Sequence, residues 1–242
     1  MSTDGTSAKR KPVTTANEAS TAVNNQPTNE KRRSFKRRLK FIIVVILLPL
    51  IYELFGNIYA PRLPTLFHSL FPPDLKPGYD FIDGFNNAEW SNGSKRIKAM
   101  ARRGDVAGFV SHHTFPPERL ADGTKCETFL LTHPEWAPLG RIEGSYGPFK
   151  ISKNNLKVQC KVGFLPGREA TKGVKFRVYF EGKDGSRTLL SEKTVTFDKK
   201  LYVFDAALNQ VANKKGHLVL VVQDLGDTEE DWPVWIIAKT VD

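Results

Sequence analysis

A chain of 242 residues with a formal net charge of +10 would ordinarily suggest a nucleic-acid partner. The placement of the charge argues otherwise, because the basic residues are densest over residues 31–40, directly before the apolar run Phe41-Ile42-Ile43-Val44-Val45-Ile46-Leu47-Leu48. Fixed positive charge resists translocation while the residues after it gain free energy in a bilayer. This pair of neighbours therefore predicts a cytosolic N-terminus, puts everything after about Tyr59 outside the cytosol, and leaves no nucleic acid among the expected partners.

Residues 1–30 are rich in Ser, Thr, Asn, Ala and Gln and contain no aromatic residue. They cannot bury enough surface to offset the entropy of ordering, which predicts a disordered cytosolic tail. Residues 31–40 form a basic juxtamembrane segment, attracted to anionic headgroups by about 1 kcal/mol per basic residue. The uncharged stretch that follows is about a dozen residues long, whereas a crossing needs about 20. Continuation through Leu54, Phe55 and Ile58 supplies that length and predicts a transmembrane helix over 41–60. Glu53 and Asn57 then lie toward the far headgroups, Tyr52 and Tyr59 suit the interface, and Pro49 introduces a kink.

A cleaved signal peptide has an apolar core of the same length and is one competing reading; a buried or interfacial helix is another. A leading segment of roughly forty residues and the lack of an A-x-A site favour an uncleaved signal-anchor. Residues 61–78 carry Pro61, Pro64, Pro72, Pro73 and Pro77, too many for a continuous helix, and predict a stiff stalk. Within it, Leu63, Leu66, Phe67, Leu70 and Phe71 could form a short helix on the bilayer surface.

Residues 79–242 are enough for one domain with its own core. Their pattern is β. Val174-Lys175-Phe176-Arg177-Val178-Tyr179-Phe180 alternates apolar and polar side chains, as a strand with one buried face does. Glu181-Gly182-Lys183-Asp184-Gly185 then supplies turn chemistry. Residues 188–197, 201–204, 217–223 and 235–241 continue the series at sandwich-like intervals, and only 94–103 and 206–212 carry faint helix signals. The expected fold is all-β, an antiparallel jelly-roll-like β-sandwich preceded by one transmembrane helix and a disordered N-terminal tail.

Tyr79-Asp80-Phe81, Ala88-Glu89-Trp90-Ser91, Thr132-His133-Pro134-Glu135-Trp136, Gly140-Arg141-Ile142-Glu143-Gly144-Ser145-Tyr146 and Glu230-Asp231-Trp232-Pro233-Val234-Trp235 together resemble an exported bacterial β-sandwich module. The last segment is similar to the Asp-Trp-x-x-Trp that opens the final strand of galactose-binding-like and NPCBM-like carbohydrate-binding domains. The resemblance spans nearly all of residues 79–242. It implies a non-catalytic module displayed outside the cell and names no ligand.

Trp90, Trp136, Tyr146 and Trp232 are the candidate ligand-binding rings, since an exposed ring offers a flat apolar face to the C–H side of a pyranose. Core packing is the alternative for each. Trp232 and Trp235 are three apart, so a regular strand points them to opposite faces. Trp235 is expected in the core with Ile237 on its side, and Trp232 on the other. Asp224, Asp227 and Asp231 gather carboxylates in a Gly-containing loop, which suits a structural calcium or simply a solvated acidic loop.

His112, His113 and His133 match no zinc spacing, and His133 is expected to hydrogen-bond beside Pro134 and Trp136. Cys126 and Cys160 would close a loop of about 35 residues as a disulfide, contributing on the order of 3 to 4 kcal/mol; buried free thiols are equally usual in strands. Asn92-Gly93-Ser94 is an acceptor sequon. No nucleophile elbow, H-E-x-x-H or phosphate-cradling glycine loop appears, and pairs such as Glu135 with Glu143 lack a fixed separation. The expected function is a membrane-anchored, non-catalytic extracytoplasmic module binding glycan or cell-envelope polymer. The alternative is a protein-interaction or structural module of a membrane complex.

Overall fold

A computed structural model describes residues 70–100, 103–152, 155–167, 172–226 and 232–242, all within the second of the two units into which the chain divides, Pro61–Asp242. The expected tail, basic segment, transmembrane helix and first part of the stalk lie outside the described residues, as do Asp227 and Asp231. Among the described residues no helix is long and apolar enough to cross a membrane.

The thirteen strands among the described residues are numbered in chain order. A six-stranded sheet runs β10 (Arg187–Val195), β9 (Val174–Gly182), β12 (Lys215–Asp224), β7 (Arg141–Lys150), β1 (Glu89–Ser91), β2 (Arg96–Ile97). A five-stranded sheet runs β11 (Tyr202–Ala207), β8 (Lys157–Phe164), β13 (Pro233–Val241), β6 (Phe129–His133), β3 (Phe109–His113). A small hairpin, β4 (Glu118–Arg119) with β5 (Lys125–Cys126), completes the set. Every ladder between these strands is antiparallel.

The two sheets pack face to face as a β-sandwich. Val158, Cys160 and Val162 of β8, Phe176 and Val178 of β9, Leu218, Leu220 and Val222 of β12, and Trp235 of β13 meet in one buried cluster. Alternation in β9 translates directly into that arrangement: Val174, Phe176, Val178 and Phe180 are buried, while Lys175, Arg177, Tyr179 and Glu181 are only partly so. β6 departs from it, being buried at all five positions. Leu130 faces the main core, while Phe129 and Leu131 join Phe109, Leu120, Leu165 and Val234 in a second cluster on the outer side of the five-stranded sheet. The β4–β5 hairpin covers that side: Leu120 packs into the cluster, and the Ala121 N–H donates to the Phe164 carbonyl at 2.9 Å.

Three expectations need correction. The segment expected to be stalk is already packed onto the domain by Leu75, which is buried in the main core and donates its N–H to the Lys150 carbonyl at 2.9 Å. Residues 94–103, weighed as a helix, contain β2, and 206–212 hold the end of the strand Tyr202–Ala207 and the 3-10 turn Asn209–Val211. Trp235 is in the core as expected, but Ile237 does not share its side. A bulge between Trp235 and Ile237 shifts the register against β8, so Ala238, opposite Cys160, continues the inward row.

Candidate ligand-binding faces

Two of the four candidate rings have no face to offer. Trp90 and Tyr146 are both buried between the sheets. The Trp90 indole N–H donates to the Phe85 carbonyl at 2.9 Å, and its six-membered ring lies against Gly144, where an added Cβ would come within 2.6 Å. Tyr146 meets Phe81 edge-on at 5.1 Å and Trp90 at 6.0 Å, and burial raises its phenol pKa well above the ordinary value.

Trp136 and Trp232 are brought together outside the main core, at the end of the sandwich where β6 and β12 finish and β7 and β13 begin. Their meeting point is His133. Its ring stacks on Phe109 at 4.9 Å, lies 5.7 Å from Trp136 and meets Trp232 edge-on at 5.9 Å. The Trp136 indole N–H donates to His133 Nδ1 at 3.1 Å, while the same Nδ1 lies 2.7 Å from the Pro134 carbonyl. One nitrogen cannot accept from Trp136 and donate to Pro134 at once, so neutral imidazole with a free Nδ1 lone pair is the form that holds the indole. Burial lowers the His133 pKa and favours neutral imidazole over imidazolium.

Trp136 stays 46% exposed, with Val106 at 65% and Leu139 at 59% beside it on the same loops. The Trp136 N–H donates to the Val106 carbonyl at 2.9 Å, tying the loops together. Gly108, at φ +92°, lets the first loop lie directly on the His133 and Glu135 backbone. The Arg103 guanidinium stands 6.0 Å from the Trp232 ring centroid.

A second face was not anticipated. On the outer side of the six-stranded sheet, Arg187 of β10 grips Glu143 of β7 with two hydrogen bonds, Nη1 to Oε2 at 2.9 Å and Nη2 to Oε1 at 3.1 Å. Two strands, β9 and β12, lie between them. At about 4.8 Å per strand β10 and β7 lie roughly 14 Å apart, a gap that the long Arg187 and Glu143 side chains bridge over the outer face of β9 and β12. Val219 and Val221 of β12 are buried on this outer side.

Arg187 Nε also donates to Glu181 at 2.6 Å, and the Ser91 hydroxyl donates to Glu143 at 3.2 Å. Burial pushes the Glu143 pKa up, but the Arg187 hydrogen bonds and charge, with Arg141 and Ser91, outweigh it and hold the carboxyl below its ordinary value. That fixed carboxylate is a poor proton donor. Tyr179 lies in the row between Leu189 and Val219. In the sequence, Lys175, Arg177, Tyr179 and Glu181 read only as the wet side of a strand; nothing local to them marks the cross-sheet partner.

Asp224 is buried at the end of β12, its carboxylate accepting the Gly226 N–H at 2.8 Å. It is the one member of the expected calcium set within the described residues, among which no group of three or more His, Cys, Asp or Glu could hold a metal. His112 and His113 face opposite ways, His112 against Phe85 at 4.7 Å and His113 stacked on Phe129 at 4.6 Å.

The expected disulfide is absent, since both cysteines are free. Cys160 points into the main core, while Cys126 packs on the second cluster, so the two thiols lie on opposite sides of the five-stranded sheet. The sequon is likewise committed to structure. Asn92 is buried, its Oδ1 accepts the N–H groups of Ser94 and Lys95, and its Nδ2 donates to the Ala107 carbonyl.

No protein-family model matches this chain, and no curated protein matches it. Among solved structures it is similar to a carbohydrate-binding module studied for promiscuous specificity in the β-sandwich superfamily, with TM-score 0.47 and 13% identity, covering 70% of this chain and 63% of that one. It is also similar to the C-terminal family 22 carbohydrate-binding module of Clostridium thermocellum Xyn10B, with TM-score 0.41 and 13% identity over 70% of this chain and 95% of that one. The CBM22-1 xylan-binding domain from Paenibacillus barcinonensis Xyn10C gives TM-score 0.39 and 14% identity over 63% of this chain and 84% of that one. What those proteins bind is a property of those proteins.

Proposed function

We propose that the chain is a membrane-anchored, non-catalytic β-sandwich, held outside the cytosol by residues 41–60, that binds a glycan or cell-envelope polymer through Trp136. The observation that carries the binding part is the Trp136 ring itself: half-exposed, hydrogen-bonded to His133 and beside Trp232, on loops tied by backbone hydrogen bonds. A preoriented aromatic plane is what stacking on a sugar requires. The anchor rests on the basic block and the apolar run that follows it.

In affinity electrophoresis against soluble envelope and plant polysaccharides, the wild-type chain in detergent should be retarded by at least one polymer. Trp136→Ala should weaken that retention by about tenfold, a loss near 1.4 kcal/mol, with its thermal midpoint close to wild type. The orientation is checked by adding protease to intact cells, which should remove a C-terminal tag. A tag cleaved only after lysis sinks the topology. Val106 and Leu139 favour a second reading, a protein-docking patch around Trp136, and retention by no polymer leaves that reading standing.

A further inference from the structure

Resting on the anchor reading above, the geometry points to a second function for the opposite end of the sandwich: docking on a bilayer surface that carries anionic headgroups. The chain comes into the domain there. The Pro73 carbonyl accepts the Lys150 N–H at 2.8 Å, at the last residue of β7, and Asp74 forms a parallel bridge with Lys150. Just before this point Leu70 and Phe71 are 52% and 46% exposed.

Backbone pairing gathers lysines at this same end. Lys150 pairs with Lys215 of β12, the Lys214 carbonyl accepts the Ile151 N–H at 3.0 Å, and Gly216 pairs with Gly182, which precedes Lys183. Lys76, Lys183, Lys214 and Lys215 are all exposed. The acidic groups facing this patch are Asp74, hydrogen-bonded to Ser152 and 3.4 Å from Lys150, Asp184, hydrogen-bonded to Ser186, and the terminal Asp242. Basic side chains outnumber them.

Chain length says what covers this surface. Nine residues separate Ala60 from Leu70, and an extended chain advances at most about 3.6 Å per residue, so the patch is tethered within roughly 35 Å of the point where the predicted span leaves the bilayer. At that range a bilayer is permanently at high local concentration, and two exposed apolar residues at the same end of the sandwich as these lysines match its interface. Trp136 is at the other end. β7 and β12 are ten residues long and join the two ends, which at about 3.3 Å per residue holds the aromatic patch roughly 30 Å farther out. Docking therefore turns the Trp136 loops away from the membrane, toward whatever polymer surrounds it.

Hydrogen exchange on the full-length chain in nanodiscs tests this, using discs of phosphatidylcholine alone and of phosphatidylcholine mixed with phosphatidylglycerol. Amides of residues 182–186 and 209–215 should exchange about fivefold or more slowly in the anionic discs, with residues 103–108 and 134–140 unchanged. High salt, or the triple variant Lys183→Glu, Lys214→Glu, Lys215→Glu, should abolish the difference; the three lysines are exposed, and the unchanged far-end amides report that the variant is folded. Incorporation without any dependence on lipid charge overturns the docking and leaves the anchor intact. Failure of the wild-type chain to incorporate overturns both.

Discussion

Four tryptophans in this chain do three different things, and their indole nitrogens tell them apart. Trp90 and Trp235 are both buried, but of the two only Trp90 has a partner for its N–H among the described residues. Trp90→Phe therefore strands the Phe85 carbonyl as well as removing volume, and should destabilise by about 1 kcal/mol more than Trp235→Phe. Truncation sorts the pair at the start of β13 in another way. Trp235→Ala should cost about 3 to 5 kcal/mol because it opens a cavity against Phe176, whose ring is 4.9 Å away. Trp232→Ala removes a partly exposed ring from the smaller cluster and should cost much less. Urea unfolding of the four variants reads all of these, and equal losses at Trp232 and Trp235 would contradict the assignment of one ring to each side of the sheet.

At the scale of elements, the bridge across the outer face of the six-stranded sheet has the widest consequences, because it ties the edge strand β10 to β7 through Arg187 and Glu143. Glu143 is largely buried and Arg187 about a third exposed, so the pair is worth more than a surface bridge but is not fully shielded from water. Arg187→Met should destabilise by about 1 to 3 kcal/mol, since it strands a carboxylate whose remaining close hydrogen bond is from Ser91. Combining it with Glu143→Gln should recover part of that loss. A double-mutant cycle should give a coupling of about 1 kcal/mol or more; a coupling near zero would mean that the two strands are held in place without the pair.

For the whole molecule, three histidines set the acid limit. Burial lowers the pKa of His112, His133 and His217 below the ordinary imidazole value of 6.5. A depressed histidine means that the unfolded chain takes up protons the folded chain refuses, so stability is full above about pH 6.5 and falls as the pH drops through that value. Glu143, with its pKa depressed from 4.5, contributes stability that is lost only at lower pH, so a second decline should follow the first. The exposed pairs of Glu192 and Asp198 add little to either stage. Thermal midpoints between about pH 7.5 and pH 3 should show both stages, and a midpoint flat down to about pH 5 would be incompatible with three imidazoles kept neutral by partial or full burial.

The sequence by itself determined the all-β character of residues 79–242, the position of the late strands, the inward face of Trp235 and the opposed directions of His112 and His113. It is also the whole basis for the proposed membrane anchor. Each of these follows from alternation or charge within a few consecutive residues, which a strand's two-residue period converts directly into sides. Tertiary structure decided everything that depends on what lies across a sheet. Trp90 and Tyr146 are core because a second sheet covers them, β6 is buried on both sides because the β4–β5 hairpin folds over it, and the cysteines are separated by the sheet between them. Trp136 and Trp232 were legible as aromatic residues, but their convergence on His133 comes from β3, β6 and β13 lying side by side, and the Arg187–Glu143 grip from the order β10, β9, β12, β7 in the other sheet. Local pattern assigns a residue to a side; only non-local pairing decides whether that side meets water, another sheet or a ligand.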